Sequence, residues 1–178
     1  MTYKLWPHQI EARKKIDACG HRCILSMEMG TGKTLTAIDT MLSRKYDGLY
    51  VIVCPKAVLG VWRGELAKWS DGQIVGVELP GTTVNKAKAA ITKARASGKT
   101  VAMILNYEQF RLKRWKDFLL GYCAAKDIQG IIFDESHKLA NHKSLQSKAG
   151  DDIARAIRST RSDSMVLLMS GTVFSHSP

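Results

Sequence analysis

The sequence predicts an α/β domain built on an open, mostly parallel β-sheet with helices on both faces. Short apolar runs alternate with amphipathic stretches along the whole chain, which is the pattern of successive strand–helix units. Several runs, such as Val51-Ile52-Val53 and Ile131-Ile132-Phe133, are continuously hydrophobic, as expected for parallel strands covered on both faces. The length of 178 residues, with no linker or repeat, indicates one domain.

Six runs are predicted strands, with helices between them. In chain order the strands are Arg22–Met27, Leu49–Cys54, Gln73–Leu79, Thr100–Asn106, Ile128–Phe133 and Ser164–Ser170. Apolar residues at helical spacing predict helices over Thr34–Tyr46 and Val58–Trp69, and around the stripes 84–94, 115–122 and 145–156. Turn-forming pairs such as Asp71-Gly72 separate these elements.

The net charge of the chain indicates which kind of partner to expect. The chain has 27 Lys and Arg against 16 Asp and Glu, a net charge of +11, which favours a polyanionic partner such as nucleic acid. No apolar run is long enough to cross a membrane, and the N-terminus lacks the apolar core of a signal peptide. We therefore expect a protein that is cytoplasmic, or nuclear in a eukaryote, is not secreted and has no membrane partner.

A phosphate-binding loop is predicted between the first strand and the helix that follows it, over residues 27–34. Gly30 and Gly32 allow a tight turn whose N–H groups point at phosphate oxygens. Lys33 would reach the β- and γ-phosphates, and the Thr34 hydroxyl would ligate Mg²⁺ beside the positive end of the helix dipole. Met27 stands where the general pattern has its first Gly. The predicted nucleotide-binding residues of this loop are Met29, Gly30, Thr31, Gly32, Lys33 and Thr34.

Two carboxylates follow the fifth predicted strand in the run Ile131-Ile132-Phe133-Asp134-Glu135-Ser136-His137. The carboxyl ends of the strands are where open α/β sheets bind their ligands. Asp134 would hold Mg²⁺ through water, and Glu135 would orient and deprotonate an attacking water. Lys33 and Glu135 are therefore the predicted catalytic residues, and Thr34 and Asp134 the predicted metal ligands.

With these motifs the chain resembles superfamily-two helicase-like ATPases and, within them, the Swi/Snf-like family. Residues 28–34 are similar to that family's motif I, and Asp134-Glu135-Ser136-His137 to a DEAH-type motif II with Ser in place of Ala. The resemblance covers nearly the whole chain. It implies that residues 1–178 form the N-terminal RecA-like lobe of a DNA-dependent ATPase of the translocase or helicase type, with ATP and Mg²⁺ as cofactors.

The flanking segments extend the resemblance. Leu5-Trp6-Pro7-His8-Gln9 looks like the family's adenine-recognition segment, which implies that Gln9 hydrogen-bonds the adenine edge. Residues 51–56, followed by Trp62 and Glu65, resemble motif Ia, and residues 104–108 resemble the next conserved block. In the family both blocks lie along nucleic acid. The resemblance thus implies nucleic-acid contacts, with double-stranded DNA as the favoured partner, at Pro55, Lys56 and Tyr107.

Residues 168–172 look like motif III, which senses the γ-phosphate and couples the two lobes of such ATPases. This resemblance implies coupling roles for Ser170 and Thr172, together with His137 of the acidic box. The chain departs from the family at Val173, where Pro is usual, and at Ser170, where Thr is common.

The resemblance also implies a second RecA-like lobe of the same parent chain as a partner, and we expect that lobe to be absent from this sequence. In the family it carries an arginine finger, and such a residue contributes roughly 10³–10⁵ in rate elsewhere. The isolated lobe is therefore expected to be nearly inactive in hydrolysis.

Two other functions remain open on the sequence. A lone RecA-like lobe without turnover could serve as a DNA- or partner-binding module. A small P-loop kinase would need an acceptor pocket and an arginine-rich lid, and the late acidic box and the Ser-Gly-Thr strand argue against it. The presence of a downstream Gln- and Arg-rich motif in the parent reading frame would distinguish a motor from a binding module.

Overall fold

A computed structural model describes residues 3–44, 48–79 and 81–171 of the protein. A six-stranded sheet lies at its centre, and every strand pairs in parallel with its neighbour, which confirms the predicted fold class. The strands are β1 (Arg22–Ser26), β2 (Leu49–Cys54), β3 (Ile74–Glu78), β4 (Thr100–Asn106), β5 (Ile128–Phe133) and β6 (Met165–Ser170). Their order across the sheet is β1-β6-β5-β2-β4-β3.

Helices connect the strands. Within the described ranges they are α1 (Pro7–Ala18), α2 (Lys33–Ser43), α3 (Leu59–Trp69), α4 (Val84–Arg95), α5 (Tyr107–Phe110), α6 (Lys113–Ala124) and α7 (Leu145–Thr160). Two short 3-10 helices, Lys56–Val58 and Ser136–Leu139, follow β2 and β5. None of the described helices is both long enough and apolar enough to span a membrane.

Alternation of side chains along the strands divides the core into two layers. All six residues of β2 are buried. Leu49, Val51 and Val53 pack in the layer formed with α4–α7, whereas Tyr50, Ile52 and Cys54 pack in the layer formed with α1–α3. Each layer contains a fully buried tryptophan, Trp115 in the first and Trp62 in the second. This two-sided burial explains why the strands are continuously apolar.

Helix α1 has no counterpart among the predicted helices. Only Gln9 and Ile16 are buried in it, so the sequence shows no apolar stripe there, although Pro7 at the first helical position is a recognised start signal. Elsewhere the predicted strands end within one residue of the observed ones. The predicted helix Thr34–Tyr46 is α2, which starts at Lys33 and ends at Ser43, while Tyr46 lies outside the described residues.

The strand register brings the functional motifs to one edge of the sheet. Ser26 at the end of β1 lies opposite Ser170 at the end of β6, and Val53 of β2 lies opposite Phe133 of β5. Cys54 pairs with Asn106, the last residue of β4. Because all strands run in parallel, the segments that follow them emerge at the same carboxyl edge, where ligands bind in open α/β sheets.

Candidate functional site

The loop between β1 and α2 depends on two glycines. Gly30 and Gly32 have φ angles of +79° and +85°, in the left-handed region that only glycine adopts without strain. Gly32 is the residue immediately before α2, so the turn ends at the positive end of that helix. A Cβ added at Gly32 would lie 2.1 Å from Gln9 Nε2. A side chain at Gly32 is therefore disfavoured by its backbone conformation and would displace the Gln9 amide of α1.

The Lys33 ammonium group lies inside this loop. It donates hydrogen bonds to the carbonyl oxygens of Met27 at 2.9 Å and Glu28 at 3.0 Å. A Cβ built on Gly171, which follows β6, would lie 3.4 Å from Lys33 Nζ and 4.0 Å from Glu135 Oε1. The structure therefore brings the predicted phosphate loop, the acidic box and the start of the motif III region together around one small space.

Asp134 is held from several directions. Its carboxylate accepts a hydrogen bond from Trp62 Nε1 at 2.9 Å on Oδ2, and one from the Glu135 backbone N–H at 3.0 Å on Oδ1. Its backbone N–H donates to Val53 O at 2.8 Å, and its carbonyl accepts from the Tyr107 hydroxyl at 2.8 Å. Burial raises the pKa of Asp134 above its usual range, while the Trp62 hydrogen bond opposes that shift. Both carboxylate oxygens are thus engaged by hydrogen-bond donors of the domain itself.

Glu135 has a strained backbone. Its φ and ψ are both 53°, a left-handed conformation that costs a residue with a side chain about 1 kcal/mol or more. This conformation turns the chain from β5 into the 3-10 helix Ser136–Leu139. The Glu135 carboxylate lies 3.2 Å from His137 Nδ1, so the proposed base and the proposed coupling residue are direct neighbours. Strain of this kind is concentrated at functional sites in proteins.

Gln9 is tied to the phosphate loop. Its side-chain oxygen accepts from the Trp6 backbone N–H at 2.9 Å, and its amide nitrogen donates to Thr31 O at 3.1 Å. His8 Nε2 also lies 3.0 Å from Thr31 O. Gln9 is only 4% exposed. The structure therefore shows Gln9 joining α1 to the loop, and its contact with an adenine edge stays a prediction.

The structure corrects the prediction for one nucleic-acid residue. Pro55 is partly exposed and Lys56 is exposed, at the end of β2 and the start of the 3-10 helix. Tyr107, by contrast, is only 2% exposed, because its ring packs in the core and its hydroxyl reaches Asp134 O. Tyr107 therefore does not offer a surface to a nucleic-acid strand, and instead supports the acidic box from within.

Ser170 lies next to the phosphate loop. It is buried at the end of β6, and its carbonyl accepts a hydrogen bond from the Met27 backbone N–H at 3.3 Å. The position links the motif III strand to the first residue of the loop. Thr172, the other predicted coupling residue of this motif, lies outside the described residues.

The hydrogen bond from Trp62 to Asp134 is the contact of this site that sequence reasoning missed. The resemblance to motif Ia includes Trp62, but nothing in its spacing indicates a bond to a carboxylate 72 residues away. A buried tryptophan usually finds an acceptor for its indole N–H, so a tryptophan on a core-facing helix of a P-loop domain is a reason to search for one.

The oxygen donors at this edge suit magnesium. The Thr34 hydroxyl and the Asp134 carboxylate are hard oxygen ligands, and Mg²⁺ in such sites is usually held by one or two protein oxygens together with phosphate oxygens and water. A cleft of about 650 Å³ lies further along the same side of the domain, lined by Gly81, Thr83, Asn106 and Arg114 among others. It adjoins the start of α4 and of α6.

Comparison with known proteins agrees with this geometry. The domain has the RecA-like α/β fold, which it shares with a solved SWI2/SNF2 ATPase core. A family model described as the SNF2-related domain matches residues 8–173, and the chain belongs to that family. The resemblance to the Swi/Snf-like family, inferred from the sequence, is therefore confirmed.

Similar proteins come from several organisms. "DNA repair and recombination protein RAD54-like" from Homo sapiens is 28% identical over 188 residues, covering 94% of this chain and 23% of that protein. "Protein CHROMATIN REMODELING 25" from Arabidopsis thaliana is 30% identical over 136 residues, covering 71% of this chain and 14% of the relative. A solved structure, "Sulfolobus solfataricus SWI2/SNF2 ATPase core in complex with dsDNA", matches with a TM-score of 0.65 at 18% identity, covering 99% of this chain and 34% of that one. The chain thus spans less than a quarter of the length of the RAD54-like protein and of CHROMATIN REMODELING 25.

Proposed function

We propose that this chain is the ATP-binding lobe of a DNA-dependent ATPase of the Swi/Snf type, which hydrolyses ATP to move along DNA. The observation that carries the proposal is the meeting of Lys33, Glu135 and Gly171 around one space at the carboxyl edge of the sheet. A cation and a carboxylate that face one space beside a phosphate loop are among the parts that phosphoryl transfer to water uses.

Each residue has a distinct role in this proposal. The backbone N–H groups of residues 29–33 and the Lys33 ammonium bind the phosphates, and Gln9 binds the adenine edge. Thr34 and Asp134 hold Mg²⁺, which when bound neutralises developing charge on the phosphates. Glu135 orients a water molecule and accepts its proton.

His137, Ser170 and Thr172 are proposed to couple this lobe to a second one. His137 contacts the carboxylate of Glu135, the proposed base. Ser170 accepts a hydrogen bond from the backbone N–H of Met27, the first residue of the phosphate loop. Each is therefore in direct contact with one part of the proposed ATP site. An arginine from a second lobe would complete the charge stabilisation, since such residues contribute roughly 10³–10⁵ in rate. Hydrolysis by this lobe alone is therefore proposed to be slow.

Duplex DNA is proposed to lie along the segments that follow β2, β3 and β4. Lys56 is exposed beside Pro55, and the 650 Å³ cleft presents Arg114, Thr83 and the N-terminal ends of α4 and α6. Helix N-termini, hydroxyls and guanidinium groups bind phosphates without reading sequence. Binding should therefore be independent of sequence and strongly dependent on salt.

A non-catalytic module that docks on DNA or on a partner protein is the second candidate. It is favoured by the position of the large cleft, which is lined by residues 81–85, 106, 108, 109, 112, 114 and 115 and by none of the phosphate loop. On that reading the cleft would bind its partner without nucleotide.

Two substitutions separate these functions. Lys33→Ala should abolish binding of Mg²⁺–ATPγS in isothermal titration and leave duplex-DNA affinity unchanged, whereas Lys56→Ala should weaken DNA binding in fluorescence anisotropy and leave the nucleotide affinity unchanged. Repeating the DNA titration over a salt series should show affinity falling steeply with salt. Unchanged ATPγS affinity in Lys33→Ala, or DNA binding that is tight and insensitive to salt, would overturn the proposal.

A further inference from the structure

Two separate helices, α3 and α5, each contribute one buried side chain that donates a hydrogen bond to Asp134. Trp62 on α3 donates its indole N–H to Asp134 Oδ2 at 2.9 Å, and Tyr107 on α5 donates its hydroxyl to Asp134 O at 2.8 Å. Trp62 is 1% exposed and Tyr107 is 2% exposed, so solvent does not compete for either bond. Both contacts are long-range, from residues 72 and 27 positions away.

The two hydrogen-bond donors lie in helices that directly follow segments of the proposed DNA surface. Trp62 lies in the first turn of α3, which follows directly on the 3-10 helix Lys56–Val58. Tyr107 is the first residue of α5, immediately after Asn106, which lines the cleft. Neither donor is placed by β5, the strand that ends just before Asp134. A displacement of either segment therefore reaches Asp134 through one rigid aromatic side chain.

The two bonds fix different parts of Asp134. Trp62 holds Oδ2 while the Glu135 backbone N–H holds Oδ1, so the plane of the carboxylate is set at both oxygens. Tyr107 holds the carbonyl, and this orients the peptide that leads into the left-handed Glu135. The first bond thus positions a metal ligand, and the second positions the backbone of the proposed base.

We propose that Trp62 and Tyr107 are positioning residues that couple duplex-DNA binding, at residues 55–58 and at the cleft beside Asn106, to Mg²⁺–nucleotide binding at Asp134. This inference rests on the function proposed above and names how the two ligands regulate each other within one lobe. DNA that orders the two segments orders Asp134, and by linkage Mg²⁺–nucleotide bound at Asp134 tightens DNA binding by the same factor.

The coupling is measured as the change in ATPγS affinity caused by a saturating blunt-ended DNA duplex, once with Mg²⁺ and once with EDTA. For the unmodified chain we expect DNA to tighten Mg²⁺–ATPγS binding by about five-fold or more, which is the lower end of typical coupling between sites. In EDTA the duplex should leave ATPγS affinity unchanged, because Asp134 acts through the metal.

Trp62→Phe and Tyr107→Phe each remove one donor while keeping an aromatic ring in the core. Both variants should bind ATPγS in EDTA as the unmodified chain does, yet show a coupling factor close to one with Mg²⁺. Trp69→Phe is a matched control, since it removes an indole N–H bonded to the Glu65 carboxylate on the same helix. Tyr122→Phe on α6 is the control for the lost phenol. Both controls should retain full coupling.

The outcomes separate the inference from the proposed function. If the unmodified chain binds both ligands without coupling, or if Trp62→Phe couples them fully, the inference is wrong and the proposed function stands. Loss of thermal stability in Trp62→Phe with unchanged coupling would show a purely structural role and would also overturn it. If the unmodified chain binds neither ATPγS nor DNA, the proposed function fails and the inference fails with it.

Discussion

The phosphate loop and the acidic box meet at one site but are stabilised in opposite ways. In the loop, residues 27–34, Thr31 Oγ1 donates to Glu28 O at 2.7 Å and Lys33 Nζ donates to Met27 O at 2.9 Å. Its described hydrogen bonds to other elements run from α1 to Thr31 O and from Met27 N–H to Ser170 O. Asp134 in the box is held by three distant elements, through Val53, Trp62 and Tyr107. The conformation of the phosphate loop therefore depends largely on contacts within a short stretch of sequence, whereas that of the acidic box depends on contacts with β2, α3 and α5.

The difference has a physical consequence. Bonds within a loop form wherever that stretch of sequence folds, so substitutions that damage the loop must lie in it or touch it, as Gln9 does. The box depends on residues spread over β2, α3 and α5, and a change in any of them reaches Asp134. Function at the box should therefore be sensitive to substitutions far away in sequence.

The largest effect is expected at the box. Glu135→Gln removes the proposed base while retaining shape and the ability to hydrogen-bond. Because general-base catalysis contributes about 10²–10⁴ in rate, hydrolysis of radiolabelled ATP by the full-length parent protein should fall by about 100-fold or more under single-turnover conditions. ATPγS affinity should stay unchanged. Hydrolysis at the original rate would assign the base to another residue.

A smaller effect is expected in the loop. Gly32→Ala forces a side chain into the left-handed region at a cost of about 1–2 kcal/mol and displaces Gln9, so ATPγS affinity should fall by about ten-fold. Gly98→Ala is the matched control, since Gly98 has φ +68° with nothing within 4 Å of an added Cβ. It should lose similar stability and keep its nucleotide affinity. Equal affinities in the two variants would contradict the self-contained loop.

The smallest effect is expected for the support of the box. Tyr107→Phe leaves the Asp134 carbonyl without its hydroxyl donor, and urea unfolding should show a loss of about 1 kcal/mol, the typical net value of such a bond. Tyr122→Phe, in a half-exposed position on α6, should change stability less. If both substitutions lower the free energy of unfolding by the same amount, the hydrogen bond from the Tyr107 hydroxyl does not stabilise the acidic box.

The contrast also explains which features could be predicted from the sequence. The six strands and the phosphate loop are local patterns, of apolar runs and glycine spacing, and the structure has the strands within one residue of the prediction. The acidic pair is also local. The Trp62 and Tyr107 bonds to Asp134 depend on the sheet order β5-β2-β4, which the sequence does not specify. The resemblance therefore placed Tyr107 at the DNA surface, whereas packing buries it.

The phosphate loop and the acidic box are proposed to form one Mg²⁺–nucleotide site. The Asp134→Asn substitution probes this site, because the amide keeps the shape of the carboxylate and removes its charge. ATPγS affinity of this variant, measured by isothermal titration with EDTA and then with Mg²⁺, should equal that of the unmodified chain in EDTA and should lose the gain that Mg²⁺ provides. An Asp134→Asn variant that keeps the whole Mg²⁺-dependent gain would contradict the claim.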